Sequence, residues 1–346
     1  MLKALWTDYT LQFRFTARTS RESMNTKKTF FVKVFDDRHP EIAGYGECAL
    51  FKGLSADDVP DFESCLAETC RHPEKELPEM SAIRFGFECA LADLANGGHF
   101  RPWPGLWAEG NDQIIINGLI WMGDRETMLS RIDEKISQGF RVLKLKIGGI
   151  DFESECELLA YIRSHFSADK LRIRLDANGS FTPDNALKHL SRLSAYDIHS
   201  IEQPIKAGQP EAMAEICRYS PIDIALDEEL IGCRNESASA RILDEISPRY
   251  IILKPSLCGG FEAADHWIRL AEERGIGWWA TSALESDIGL NAIAQWVSRY
   301  HPTIPQGLGT GQLFLNNIPS PLTLCGDCLS SDPTGRWNLS CLTWRQ

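Results

Sequence analysis

From about residue 114 onward the chain alternates short apolar runs with longer segments that carry an apolar side chain every three or four positions. The runs are IIINGLI, RVLKLKIG, LRIRLDANG, HSIEQP, IDIALDE, YIILKP and GWWATS. Brief, nearly unbroken apolar runs of this kind suit parallel strands covered on both faces. Between them the spacing predicts helices over DRETMLSRIDEKISQG and near 151–166, 183–194, 210–218, 236–246, 260–274 and 288–299. An eighth strand is expected near 304–308. The class is α/β, and the repeat predicts a modified TIM-type (β/α)7β barrel over 111–311.

Residues 1–110 lack this period. LQFRF, TFFVKVF and GYGEC read as strands, and the stretches near 56–70 and 80–97 as helices, which makes a separate α+β unit. The second of these helices aligns Ile83, Phe87, Ala90, Leu91 and Leu94 and stops at Gly97-Gly98. RPWPG at 101–105 is a rigid link to the barrel. Residues 312–346, rich in Pro, Gly and Trp, leave no room for another βα unit and are expected to pack back against the first domain.

Charged residues stand at the ends of the apolar runs. Lys144 and Lys146 close the second, Asp176 the third, Glu202 the fourth, Asp227 the fifth and Lys254 the sixth, at intervals of about 25–30 residues that match one βα unit. Residues at the C-terminal ends of barrel strands share one mouth, where such barrels do their chemistry. Lys144 and Lys146 are two apart and point the same way. Two close ammonium groups, or a nearby dication, lower a lysine pKa and suit it to act as a base. Asp176, Glu202 and Asp227 offer three hard oxygens, a donor set that suits Mg2+, with Mn2+ as an alternative. Asn178 shares the Asp176 side and could orient a metal-bound water. Alternation turns Glu228 away, leaving it and Glu229 as supporting candidates. Lys254, four strands on from Lys146, is expected across the mouth from it.

Composition narrows the partners. A formal charge of −12 over 346 residues excludes a nucleic-acid binder, which needs a basic face, and leaves a small anionic substrate drawn in locally by lysines and metal. No stretch reaches the ~18 apolar residues of a membrane span, and the N-terminus does not read as a secretory signal. Eleven scattered cysteines point to reduced thiols and a cytoplasmic setting. Cys325-Gly-Asp-Cys328 lacks the second pair of a metal site and reads as two partly buried thiols in a turn. Nothing in these patterns sets the oligomeric state.

Together KLKIG, RLDANGSF, IEQPI, ALDEE and LKPSLCGG resemble the enolase superfamily, in its muconate-lactonizing subgroup with a lysine on each side of the site. The resemblance covers nearly the whole chain and makes residues 1–110 a capping domain. It implies a metal-dependent proton abstraction α to a carboxylate, with an enediolate held by the metal. In this reading Lys146 is the base, Lys254 the opposing cation, and Lys144 and Asn178 support them. The branch most resembled, through Arg174, TSALESDIGLNAIAQW and GLGTG, dehydrates a succinyl-hydroxycyclohexadiene carboxylate in menaquinone biosynthesis. Racemisation of N-succinylamino acids, or another epimerisation of amino-acid derivatives, is the alternative; a barrel that only binds its ligand is a remote third. GLGTG lacks the acidic pair by which dipeptide epimerases hold an ammonium group. The succinyl tail is expected near Ser282, Ala283, Gly309 and Thr310, under loops around 18–28 and 48–55. Arg174 is either a cation facing the substrate or the partner of a barrel carboxylate, the second being preferred.

Overall fold

The computed structural model describes residues 1–18, 23–233 and 235–345; the part of the first capping loop at 19–22 lies outside the described residues. The N-terminal sheet is antiparallel, in the order β1 (Leu2–Arg18), β2 (Ser23–Asp36), β3 (Ala43–Cys48). Period-two alternation decides its two faces. Phe30, Val32 and Val34 of β2 pack with Leu66 of α1 (Phe62–Arg71) and with Ile83, Phe87 and Ala90 of α2 (Ser81–Ala95). Phe31, facing the other way, packs with Ile288, Ile318 and Leu342 from the far end of the chain.

The barrel sheet is parallel and runs in sequence order: β5 (Gly118–Ile120), β6 (Val142–Lys146), β7 (Arg172–Asp176), β8 (Ile198–Glu202), β9 (Ile224–Leu226), β10 (Tyr250–Leu253) and β11 (Gly277–Ala280). Helices α3 (Arg125–Ser137), α4 (Phe152–His165), α5 (Pro183–Leu193), α6 (Pro210–Tyr219), α7 (Glu236–Ile246) and α8 (Gly260–Glu273) lie between successive strands, and α9 (Asp287–Ser298) follows the last. Leu143, Leu145, Ile173, Leu175, Ile201, Leu226, Ile251 and Leu253 point outward into one continuous core with these helices. The alternate residues fill the barrel, and those at the strand ends stand at its mouth.

Two expectations about strands need correction. IIINGLI is not one strand: Ile114–Ile115 form β4, which pairs with the C-terminal hairpin, and Gly118–Ile120 form the barrel strand. The 304–308 segment closes the ring through single parallel bridges, Ile116 to Gln306 and Thr281 to Gly307, rather than as a strand. Pro302 and Pro305 supply no N–H for a ladder there. The approach at Gly307 is close, since a Cβ would lie 2.4 Å from Thr281 Oγ1.

The segment beyond 311 returns to the capping sheet only in part. Phe314 and Arg345 bridge to Phe13 and Trp6 of β1. The hairpin of β12 (Leu322–Cys325) and β13 (Cys328–Ser331) instead pairs with β4, and Trp107 Nε1 donates to the Leu329 carbonyl at 3.2 Å. Cys325 and Cys328 face one another across its two-residue turn, and Cys325 is exposed where a partly buried thiol was expected. Among the described residues no helix is long and apolar enough to cross a membrane.

Glu88 of α2 joins the two units by accepting from the first amides of α8, Phe261 N at 2.6 Å and Glu262 N at 3.1 Å. Gly260 makes room for it: a Cβ there would lie 2.6 Å from Glu88 Oε1. Burial pushes the Glu88 carboxyl up to about 7, against the pull of those amides and of Arg84 and with Glu262 adding to the rise. A carboxyl raised in the fold holds its proton where the unfolded chain has lost it, so its contribution declines as pH rises from about 4.5 to 7. Glu88→Gln should remove this slope. From pH 5 to pH 8 the stability of the wild type, measured by urea denaturation, should fall relative to the variant by on the order of 1–3 kcal/mol; parallel pH profiles would refute this.

Candidate active site

Three strand ends bring three carboxylates together. Lys146, Asp176 and Glu202 are in register across β6, β7 and β8, and Asp227 and Lys254 directly follow β9 and β10. All three acids are buried, with residue exposures of 1–2 %. Lys144 Nζ spans Asp176 at 3.0 Å and Glu202 at 2.5 Å. Lys146 donates to Asp176 Oδ2 at 2.9 Å and Asn178 Oδ1 at 2.7 Å. Lys254 donates to Asp227 and lies 3.8 Å from Glu202 Oε1.

These contacts decide the electrostatics. Burial works against the Asp176 carboxylate, but Lys144, Lys146 and Lys254 outweigh it and hold the group below the usual range. Glu202 is pushed up to about 7, first by burial and then by Asp176. Burial raises Asp227 as well, against the pull of Lys254. For Lys144 the expected lowering is reversed, and Lys254 is raised as well. Burial opposes their charge, yet Asp176 and Glu202 raise Lys144, and Asp227 and Glu202 raise Lys254. As placed, no three acidic or other metal-ligating side chains among the described residues form an ion site, because the ammonium groups hold the carboxylate oxygens. The donor set nevertheless fits a hard dication: three oxygens come from adjacent strand ends, and Glu202 Oε1 is buried without a hydrogen-bond partner.

A cavity of about 220 Å3 opens above this cluster. Lys144, Lys146, Asp176, Asn178 and Lys254 line one end, and Ser282, Ala283, Gly309 and Thr310 line it further out. Phe51, Lys52, Gly53 and Leu54 of the capping unit form part of its wall. Glu202 and Asp227 lie below, behind the lysines. Ser282 and Thr310 are spoken for by other groups: Thr310 Oγ1 donates to Ser282 Oγ at 2.6 Å, and Ser282 in turn donates to Glu285.

Leu119, Trp121, Thr281 and Leu284 on the cavity wall are not marked by strand-end charge. Trp121 follows β5, so its position at a strand end was the available signal. Glu228 also lines the cavity, contrary to the alternation argument. A 3-10 turn over Glu228–Leu230 begins right after Asp227, so strand alternation has already stopped. Asn178 donates to Glu228 Oε1 at 3.2 Å while accepting from Lys146, which joins three site residues directly.

Arg174 contradicts both readings offered for it. It is 1 % exposed one layer below the mouth and has no carboxylate partner among the described residues. Its guanidinium stacks on Trp279 at 4.0 Å and donates to the Pro305 carbonyl at 2.8 Å and to Asn117 Oδ1 at 3.4 Å. Burial lowers it to about 10. Its role is to fill the barrel and tie β7 to the closing segment.

Comparison with known proteins fixes the family. A profile described as enolase C-terminal domain-like matches residues 127–308. An o-succinylbenzoate synthase of Desulfotalea psychrophila is 46% identical over 360 residues, covering 92% of this chain and 96% of the relative. The chain belongs to the o-succinylbenzoate synthase family. The crystal structure of MenC from Desulfotalea psychrophila superposes with a TM-score of 0.85 at 42% identity, covering 95% of this chain and 99% of that one. An L-amino acid-D/L-Glu epimerase of Francisella philomiragia is only 28% identical, over 81% of this chain and 85% of its own length. The modified barrel with its antiparallel capping sheet is therefore the o-succinylbenzoate synthase architecture within the enolase superfamily.

Proposed function

We propose that this chain is a carbon–oxygen lyase that dehydrates a succinyl-hydroxycyclohexadiene carboxylate to o-succinylbenzoate, a step of menaquinone biosynthesis. The observation that carries the reading is the polarity of the cavity. Lysines crowd one end, while Ser282, Ala283, Gly309 and Thr310 at the other present no acidic side chain; among the described lining residues the acids are Asp176 and Glu228 alone. A dianionic substrate suits such a cavity, and an ammonium-bearing dipeptide does not.

Mg2+, or Mn2+ in its place, would be held by Asp176, Glu202 and Asp227 and would supply Lewis-acid stabilisation of charge on the substrate carboxylate. The lysines now engaged by these acids would then be turned toward substrate. Lys146 is the base: its ammonium group lies at the cavity edge, steered by Asn178, and its free amine takes the proton α to the ring carboxylate. Lys254, across the sheet at the end of β10, offsets the negative charge that develops as the enediolate forms. Lys146 then returns the proton to the departing hydroxyl, water leaves, and the ring becomes aromatic. Phe51, Leu54, Leu119 and Trp121 keep bulk water from the reacting carbon. The succinyl carboxylate would meet the backbone N–H groups near Gly309 and Thr310, since the nearby hydroxyls are engaged. A cytoplasmic setting suits eleven cysteines that are all free.

The racemase reading is tested by assaying the cyclohexadiene substrate and N-succinylamino acids side by side. Specificity is the ratio of kcat/KM values. The dehydration should lead by at least about tenfold, a difference of only ~1.4 kcal/mol in transition-state binding. A preference for the amino-acid derivatives would transfer the assignment to the racemases and leave the fold and the charged cluster unchanged.

A further inference from the structure

The loop that forms the outer cavity wall, 281–286, is held from outside the barrel. Leu284 adopts a left-handed backbone, φ 65°, in which the Cβ of an L-residue crowds the carbonyl oxygen. Its side chain nevertheless packs inward beside Trp121 and Phe51 and lines the cavity. Its carbonyl accepts at 2.9 Å from Nζ of Lys27, a residue of β2 in the capping sheet that is 6 % exposed. Two fully buried carboxylates act on the same ammonium group. Glu47 of β3 accepts from Thr29 Oγ1 at 2.7 Å, from Ser286 N at 2.9 Å and from Ser286 Oγ at 2.6 Å. Glu285 accepts from Ser256 Oγ at 2.5 Å and Ala283 N at 2.6 Å, and from Ser282.

We infer that Lys27 is a specificity-determining positioning residue: from the capping sheet it holds Leu284 in its strained conformation and so sets the wall against which the substrate's acyl tail rests. An ammonium group costs far more to bury than a neutral donor. Burial indeed works against the charge of Lys27, and Glu47 and Glu285 are the groups that oppose this. The arrangement keeps one cation between two carboxylates, each of which grips the backbone or hydroxyls of the same loop. Without the ammonium group the Leu284 carbonyl loses its partner and the two carboxylates lose their shared counter-charge. The left-handed turn then loses its hydrogen bond at Leu284 itself, and only the bonds at Ala283 and Ser286 flank it. The chemistry at Lys146 and Lys254 lies at the other end of the cavity, so the effect belongs in binding of the tail.

The tail assignment rests on the proposed synthase reaction, whereas the hold on Leu284 does not. The test therefore has two arms. In hydrogen exchange, Lys27→Met should speed exchange of the amides at 283–286 by at least about tenfold, a readout that needs no substrate. In steady-state kinetics the same variant should raise KM by about 10- to 100-fold, the scale of a lost charged hydrogen bond, with kcat within about threefold. Lys27→Arg should recover much of both. Glycine accepts the left-handed backbone without strain, so in a Leu284→Gly background the effect of Lys27→Met on KM should shrink to under about threefold. Should Lys27→Met fail to fold, Lys27→Gln takes its place in the cycle. Unchanged exchange, or additive effects of the two substitutions, would show that Lys27 only anchors the capping sheet. If exchange responds as stated but the wild type acts on neither substrate, the hold stands and the synthase reading falls.

Discussion

Lys146→Ala should abolish dehydration and, with it, exchange of the substrate α-proton with solvent deuterium. Removing a positioned general base costs typically ~10²–10⁴ in rate. Here the loss should reach the upper end, because the proton taken by Lys146 is also the one returned to the leaving hydroxyl. Lys254→Ala should lose ~10²–10³, the scale of removing a charge that stabilises a developing oxyanion. The two are separable by Lys254→Arg. That variant keeps a cation beside Asp227 and should retain part of the dehydration, but an arginine cannot take a proton and so any racemisation should vanish. Measuring both activities, and deuterium wash-in, on the three variants checks the assignment. Equal survival of both reactions in Lys254→Arg would show that Lys254 does not stand where the mechanism needs it.

Asp227→Asn and Glu202→Gln should each weaken Mg2+ binding, followed by isothermal titration, by more than the ~10–100-fold typical of losing a mere supporting group around a metal. Activity should fall in parallel, and excess Mg2+ should restore part of it. Chelation of the wild type should remove activity and leave the fold intact, because the cluster without metal is already neutralised by Lys144, Lys146 and Lys254. Full activity after chelation, or unchanged titration curves, would exclude this triad as the metal site.

The βα repeat makes most of this site legible in the sequence. Residues at the ends of parallel strands must converge, so Asp176, Glu202, Asp227 and the lysines could be grouped from their spacing alone, and the structure does bring them together. What spacing does not carry is the behaviour of the chain once a strand stops. Glu228 enters the cavity because a 3-10 turn replaces alternation after Asp227. The 304–308 segment closes the ring with two bridges because prolines interrupt it, a change too local for a periodicity to register. Arg174 takes a carbonyl and an indole face in place of a carboxylate, while the three lysines engage the acids above it. Lys27, Glu47 and Glu285 read as ordinary charges in the sequence. They become a group only when the capping sheet docks on the barrel, a contact between segments more than 200 positions apart.

The seam at β1 has a consequence for how the polypeptide is made. As the outer strand of its sheet, β1 would present a long row of unpaired amides and carbonyls over LKALWTDYTLQFRFTAR. Part of that row is covered by Asn316, whose Oδ1 accepts from Gln12 N across 304 positions, and by Arg345, whose backbone exchanges two hydrogen bonds with that of Trp6. On the ribosome, at ~5–20 residues per second, the strand emerges tens of seconds before either cover exists. During synthesis the nascent chain therefore carries an uncovered edge with the aromatic side chains Trp6, Tyr9, Phe13 and Phe15. Shortening the sequence before residue 345 should show itself less in catalysis than in insoluble, edge-paired protein, and chaperone demand should track the last part of the chain to be translated.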